Sequence, residues 1–369
     1  MAGLCQRDQL DALLIYGTSA NARQAQAQVH YLTGFLGHQE AYVLAVPGEQ
    51  PLLFVQYYNH LPNAQRLARA KVRWGGQLSI DAVADELGRR PHLVRIGMVG
   101  PIPYQAHRRL ESRFLERTFL DSTPAFMRLR LVKSEEELAI MCRAAEVTDA
   151  ALAALVRRAV PDATELELQA AATAAAIQAG GQPHFLYLSS TPMANPDRLV
   201  PAQDLTDRRL RPGDAVILEL SSAAGGYSGQ VLRTIAIEAP LSELYQRLHD
   251  VAWETYHAIA GVIRSGVTAQ AVIDAAELIE HRGFTICDDL VHGYGGGYLP
   301  PVLRTRATMH GPIPSFAFEA NMTLVIQPNV VSDDGGAGVQ VGELVRVTAD
   351  GVERLHRVPQ RLLMGGEPI

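Results

Sequence analysis

The sequence predicts an α/β (α+β) protein of two domains, on three observations. The chain has 369 residues, more than one hydrophobic core usually serves. Its hydrophobic fraction of 47% supplies a core to each domain and excludes a disordered chain. Short apolar runs alternate with helical segments over residues 1–127, whereas residues 128–369 combine capped helices with β-hairpins. Those two ranges are the expected domains.

In the first domain, strands are expected at Ala12 to Tyr16, Ala41 to Val46, Pro51 to Val55 and Val94 to Val99, with helical segments between them. From Met127 to Val132, strand-like alternation gives way to a helix start at Ser134. Ser134 and Glu137 have capping-box spacing: the serine oxygen accepts from the amide three residues on, and the glutamate returns to the serine amide. Helical spacing runs from Leu138 to about Val160, and Thr164 with Glu167 caps a second helix. Met141, Leu152 and Leu155 read as core residues of the first. Gly213 to Thr234 reads as a hairpin: Ala215 to Leu218 form a strand ending at Glu219, Gly225-Gly226 turn, and Gln230 lies on the return. Two further helices are expected at Asp250 to Arg264 and Ala269 to Arg282, stopped by Gly266 and Gly283. The residues contain no internal repeat and no low-complexity segment.

A net charge of -6 and a pI near 6.1 argue against nucleic acid as a partner and favour a small-molecule substrate. Cys5, Cys142 and Cys287 show no metal or redox spacing and read as reduced cysteines of a cytoplasmic protein. Arg7, Asp8 and Asp11 interrupt the window in which a signal peptide needs an apolar run, and no stretch is long enough to span a bilayer, so no membrane role is expected.

Several motifs together resemble the pita-bread family that includes methionine aminopeptidase, prolidase, aminopeptidase P and creatinase. Tyr31-Leu32-Thr33-Gly34-Phe35 is similar to a stretch of the creatinase and prolidase N-terminal domain, and Lys133-Ser134 with Glu137 resembles the opening of the catalytic domain. Gly226-Tyr227, Ser228 and Arg233-Thr234 fall in register with the family's metal-binding hairpin. The resemblance implies a creatinase-like N-terminal domain, a pita-bread catalytic domain and a homodimer. It also identifies five positions that hold two metal ions in active members. Here they carry Glu219, Gln230, His292 in Val291-His292-Gly293-Tyr294-Gly295, Gln327 in Ile326-Gln327-Pro328, and Gly342 ahead of Glu343. Four carboxylates have become one, with two amides and a hydrogen, so no catalytic metal and no cofactor are expected. The loop histidine on which creatinase relies is also missing, because no histidine lies between His184 and His249, and Met193 to Arg198 offers Asp197 and Arg198 instead.

The leading expectation is a metal-independent enzyme, a hydrolase or lyase related to creatinase, acting by acid-base chemistry at a carbon-nitrogen bond of a small amino-acid-derived compound. Glu219 and His292 are the catalytic candidates, the glutamate pKa raised by burial and the histidine held protonated beside it. Gln230, Gln327, Tyr227, Gln340, Glu343, Arg198 and Arg304 are the substrate-binding candidates, with amides suited to orienting an amide, a urea or a carboxylate. Two alternatives stand beside this: a non-catalytic ligand- or protein-binding module, and a weak Xaa-Pro-type metallopeptidase.

Overall fold

The computed structural model describes residues 1–19 and 23–369, which divide into two units, Met1–Arg130 and Leu131–Ile369. In the first, β1 (Ala12–Thr18), β2 (Glu40–Ala45), β3 (Leu52–Val55), β4 (Lys71–Trp74), β5 (Arg95–Val99) and β6 (Thr118–Asp121) form one sheet in the order β4-β3-β2-β1-β5-β6. The β1–β2 and β2–β3 pairs are antiparallel and the rest parallel. Both faces are covered: Leu13, Ile15 and Val43 enter one apolar cluster, Ala12, Leu14 and Tyr42 the other. That explains why β1 reads as an unbroken apolar run and does not alternate. The strand expected before Ser134 is instead the helix Thr123–Leu129, started by Pro124 in its first turn and anchored by fully buried Phe126.

The second unit opens with helices Glu135–Arg158 and Glu165–Gln178, each closed by the complete capping box expected at Ser134 and Thr164. Its large sheet takes β7 (Gln182–Pro192), β8 (Asp214–Ala224), β9 (Tyr227–Ala236), β11 (Val291–Gly293), β12 (Leu299–Leu303), β13 (Thr323–Ile326) and β15 (Gly342–Val347) in the order β12-β11-β13-β15-β9-β8-β7. β10 (Phe284–Ile286) pairs with β14 (Val330–Ser332) in a small second sheet. Gly225 and Gly226, with φ of 54° and 84°, make the two-residue turn between β8 and β9. Positive φ at both turn positions matches the strand twist, and only glycine takes it without strain. Val216, Leu218, Leu220, Val231 and Ile235 pack this hairpin against Leu152, Leu155 and Leu168 of the two opening helices. The expected helix at Asp250 begins earlier, spanning Glu243–Val262, because the Ser242 hydroxyl accepts from the Tyr245 amide. The expected helix from Ala269 is broken into Ala269–Ala276 and Leu278–His281. None of the described helices is long and apolar enough to cross a membrane.

Candidate active site

Residues directly opposite one another in an antiparallel ladder project to the same face, so the pairing registers assemble the site. Glu219 lies opposite Leu232, and Leu232 opposite Gly342. Gln230, two residues from Leu232, shares that face. Leu344 lies opposite Val325, and Val325 opposite His292. Gln327 follows Val325 by two residues and abuts Gly342. One face therefore carries Glu219, Gln230, His292 and Gln327 above an apolar floor of Leu232, Val325 and Leu344.

Hydrogen bonds tie these side chains together. Gln230 Nε2 donates to Glu219 Oε1 at 2.7 Å and to Gln327 Oε1 at 3.3 Å. Gln327 Nε2 donates in turn to Asp289 Oδ1 at 3.1 Å and to Asp288 Oδ2 at 3.4 Å. Tyr298 OH donates to Asp289 Oδ2 at 2.6 Å, and its ring stacks on His292 with centroids 4.3 Å apart. Asp288, Asp289 and Tyr298 are not among the expected site residues. Two adjacent acids placed just before an apolar strand that holds His292 are the signal that would have found them.

Electrostatics set the protonation of the set. Burial pushes the Glu219 carboxyl up to about 8, and the nearby Asp288 and Asp289 carboxylates add to the rise. Asp288 is pushed upward by burial and by its neighbour Asp289. His292 moves the other way, down to about 4, because burial disfavours the cation. Its Nδ1 lies 3.1 Å from the Gly293 carbonyl, so a neutral ring donates there and keeps Nε2 as its basic nitrogen. The expected protonated His292 is thus corrected to a neutral imidazole. Among the described hydrogen bonds none joins Glu219 to His292, and it is Gln230 that meets the carboxylate.

The remaining candidates are dispersed. Glu343 lies opposite Val231, on the other face of the sheet from Glu219, and is fully buried in ion pairs with Arg233, at 2.6 Å, and Arg354. Tyr227 OH donates to Glu137 Oε1 at 2.6 Å. Arg198 is exposed and donates to the Asp197 carbonyl at 3.2 Å, while Arg304 reaches the Cys287 carbonyl at 3.5 Å. Gln340 is buried next along the chain from the site face, its backbone amide bonded to Thr234 Oγ1 at 2.9 Å.

The donor set does not fit a two-ion centre. Among the described residues, no group of three or more His, Cys, Asp or Glu side chains is placed to hold a metal ion. At position 342 the backbone itself refuses a side chain: a Cβ on Gly342 would lie 2.4 Å from the Ile326 carbonyl oxygen and 2.8 Å from Gln327 Cα. Gly342→Ala is therefore expected to destabilise the protein by about 1–3 kcal/mol. Urea unfolding checks this, and a variant as stable as the parent would show that the two strands separate freely there.

A fold with a creatinase-type first unit and a pita-bread second unit, carrying a polar set on one face of its large sheet, defines a peptidase-like class. The chain belongs to metallopeptidase family M24, whose model matches residues 139–349, and the creatinase/prolidase N-terminal domain model matches residues 2–132. It is 23% identical over 277 residues to an Xaa-Pro dipeptidase of Pyrococcus furiosus, covering 73% of this chain and 75% of that one. An uncharacterized hydrolase/peptidase of Sinorhizobium fredii is 25% identical over 381 residues, covering 96% and 92%. The fold matches the prolidase from Pyrococcus horikoshii with a TM-score of 0.83 at 20% identity, covering 98% of each chain. It matches an X-Pro aminopeptidase from Thermotoga maritima at 0.82, also with 20% identity and 98% of each chain. The chain is a homologue of hydrolases. These relatives overturn the leading expectation of metal-independent, creatinase-like chemistry: they are named Xaa-Pro dipeptidases, prolidases and peptidases, and the weak Xaa-Pro-type metallopeptidase alternative fits them better.

Proposed function

We propose that this chain is a weak Xaa-Pro-type metallopeptidase, hydrolysing an amide bond in a short peptide held on the Glu219 and His292 face. The observation that carries this reading is the match of both domains, over most of the chain, to proteins named Xaa-Pro dipeptidases. The convergence of Glu219, Gln230, Gln327 and His292 through hydrogen bonds supports the same face as the place of binding. Slow turnover follows from the donor set, since the five positions that bind metal in the family carry one carboxylate, one imidazole and two amides, which hold a single ion weakly at most, and the adjacent Asp288 and Asp289 carboxylates are engaged by Gln327 and Tyr298.

The chain's own groups take definite roles in this proposal. As water adds to the carbonyl carbon and passes its proton to His292 Nε2, Glu219, protonated near neutral pH, gives its own proton to the departing nitrogen. Gln230 holds the Glu219 carboxyl in place, and Gln327 is itself braced by Asp288 and Asp289. Neutral His292, stacked by Tyr298, presents Nε2 as an acceptor toward the substrate. A homodimer and a cytoplasmic location belong to the same proposal, the latter supported by three free cysteines.

The test is release of proline from an Xaa-Pro peptide panel by the purified protein, with and without added manganese. Proline release above the blank is expected, falling at least tenfold in both Glu219→Gln and His292→Ala. No release under either metal condition would overturn the reading and leave a binding module.

A further inference from the structure

In the first sheet β1 and β5 are parallel neighbours, yet the chain leads from β1 outward through β2, β3 and β4 on one side and from β5 to β6 on the other. Their connections diverge at the carboxyl ends. The crevice at such a point is where open α/β sheets bind ligands. A cleft of about 560 Å³ lies at this place, between Gln28 of the helix Ala27–Thr33 and the segments that follow β5 and β6. Its size suits a small molecule.

The backbone shapes this cleft. Gly100 follows β5 with φ of 90°, and a Cβ there would lie 2.6 Å from the Tyr16 carbonyl oxygen, so only glycine lets the chain leave β5 this close to β1. The Gly100 amide donates to Thr123 Oγ1 at 3.1 Å, and the Thr123 amide donates to Asp121 Oδ1 at 2.9 Å. Those two bonds tie the segments together and fix the Asp121 carboxylate on the cleft wall. Asp121 Oδ2 takes no hydrogen bond among the described residues, and Gln28 Oε1 is buried without a partner. Met98, Ile102 and Phe119 line the rest with apolar surface, and no Lys or Arg is among the described lining residues. His107 meets Phe119 edge to face, with ring centroids 6.3 Å apart, and its Nδ1 lies 3.5 Å from Glu111 Oε2.

We infer that this cleft binds a small primary amine with an apolar body. An ammonium group has three N–H donors and no acceptor, which matches a wall whose open positions are the Asp121 carboxylate and the Gln28 carbonyl. The apolar body lies against Met98, Ile102 and Phe119, where it leaves water. A carboxylate or phosphate of the same shape is opposed by the Asp121 charge and finds no Lys or Arg to receive it. An alcohol fills the same space but lacks the charge-assisted hydrogen bond. The cleft is built from the first unit alone, so the inference stands independently of the peptidase reading.

The experiment is calorimetric titration of the intact protein with three probes of similar shape: phenethylamine, phenylethanol and phenylacetate. The amine is expected to bind about tenfold more tightly than the alcohol, and phenylacetate more weakly than either. Asp121→Asn keeps an oxygen for the Thr123 amide while removing the charge, and Gln28→Met removes the buried acceptor. With thermal unfolding confirming that both variants fold, the preference for amine over alcohol is expected to shrink to below about threefold in Asp121→Asn and to weaken in Gln28→Met. In Glu219→Gln it is expected to stay as in the parent, which separates this cleft from the acidic face of the second unit. No binding of the amine, alcohol or phenylacetate binding as tightly as the amine, a preference unchanged in both Asp121→Asn and Gln28→Met, or one lost in Glu219→Gln would each overturn the assignment.

Discussion

Replacing Glu343 by alanine is expected to destabilise the protein by about 3–5 kcal/mol, the largest effect of any single change considered. Arg233 is 1% exposed and Glu343 fully buried, and the two meet at 2.6 Å in the middle of the sheet. Arg233 also donates to the carbonyls of Gly342 at 2.7 Å and Leu232 at 2.9 Å, while Arg354 and Gln360 complete the shell around the carboxylate. Removing the carboxylate leaves a guanidinium buried without its counter-charge, and that desolvation cost is the source of the loss. Burial alone would raise the Glu343 pKa, but the Arg233 charge and the Arg354 hydrogen bond outweigh it and hold the group below its usual range. A lowered folded pKa means the pair contributes above the unfolded value of 4.5 and is lost as pH falls through the folded one. The deficit of Glu343→Ala should therefore be largest near neutral pH and shrink in acid. Urea unfolding at several pH values measures it. Replacing both partners together, as Glu343→Leu with Arg233→Met, should recover much of the loss, since the charge then left without Glu343 is that of Arg354, which is partly exposed. A double variant no better than the single one would place the stabilisation in packing and not in the pair.

Glu219→Gln should have the opposite sign at alkaline pH, stabilising the protein by about 2 kcal/mol near pH 9. The folded carboxyl prefers its proton, with a pKa moved from 4.5 to about 8 by burial and then by Asp288 and Asp289. A raised folded pKa gives stability that is complete below 4.5, declines as pH rises, and is gone above about 8. The magnitude is set below the full shift because the residue is only half-buried at the surface and water relieves part of the cost. The variant and the parent should coincide near pH 4.5 and separate steadily above it. His292 imposes the reverse trend, since its pKa is lowered from 6.5 to about 4 and its neutral form favours folding above that range. The parent should thus be most stable between the two titrations. A constant difference between parent and Glu219→Gln from pH 5 to pH 9 would show that the carboxyl is solvated.

Much of the local structure was legible because it depends on near neighbours. Ser134 with Glu137 and Thr164 with Glu167 satisfy helix-terminal amides within one turn, and both boxes form. Gly225-Gly226 imposes a turn by its own backbone freedom. At the segment from Met127, alternation over a few residues suits a strand or a short helix equally, and burial of Phe126 decides for the helix. Ser242 caps its helix with Tyr245 and not glutamate three residues on, so no capping-box spacing marks it in the sequence.

The site divides along the same line. Glu219, Gln230, His292 and Gln327 come from three motifs spread over four strands, and the ladder registers place them on one face. Glu343 shows the limit of that reasoning. It sits one residue from Gly342, and a strand turns successive side chains to opposite faces, so it belongs to a buried ion pair and not to the polar face. The roles of Asp288, Asp289 and Tyr298 depend on contacts with residues far along the chain.

By itself, the sequence determined the two-domain class, the capped helices and the glycine hairpin, all of which follow from residue type and short spacing. Tertiary structure decided which of those residues meet, which acids lie beside Glu219, and that burial pushes the His292 pKa down. The physical reason is that pairing register and desolvation are properties of residues brought together from distant parts of the chain.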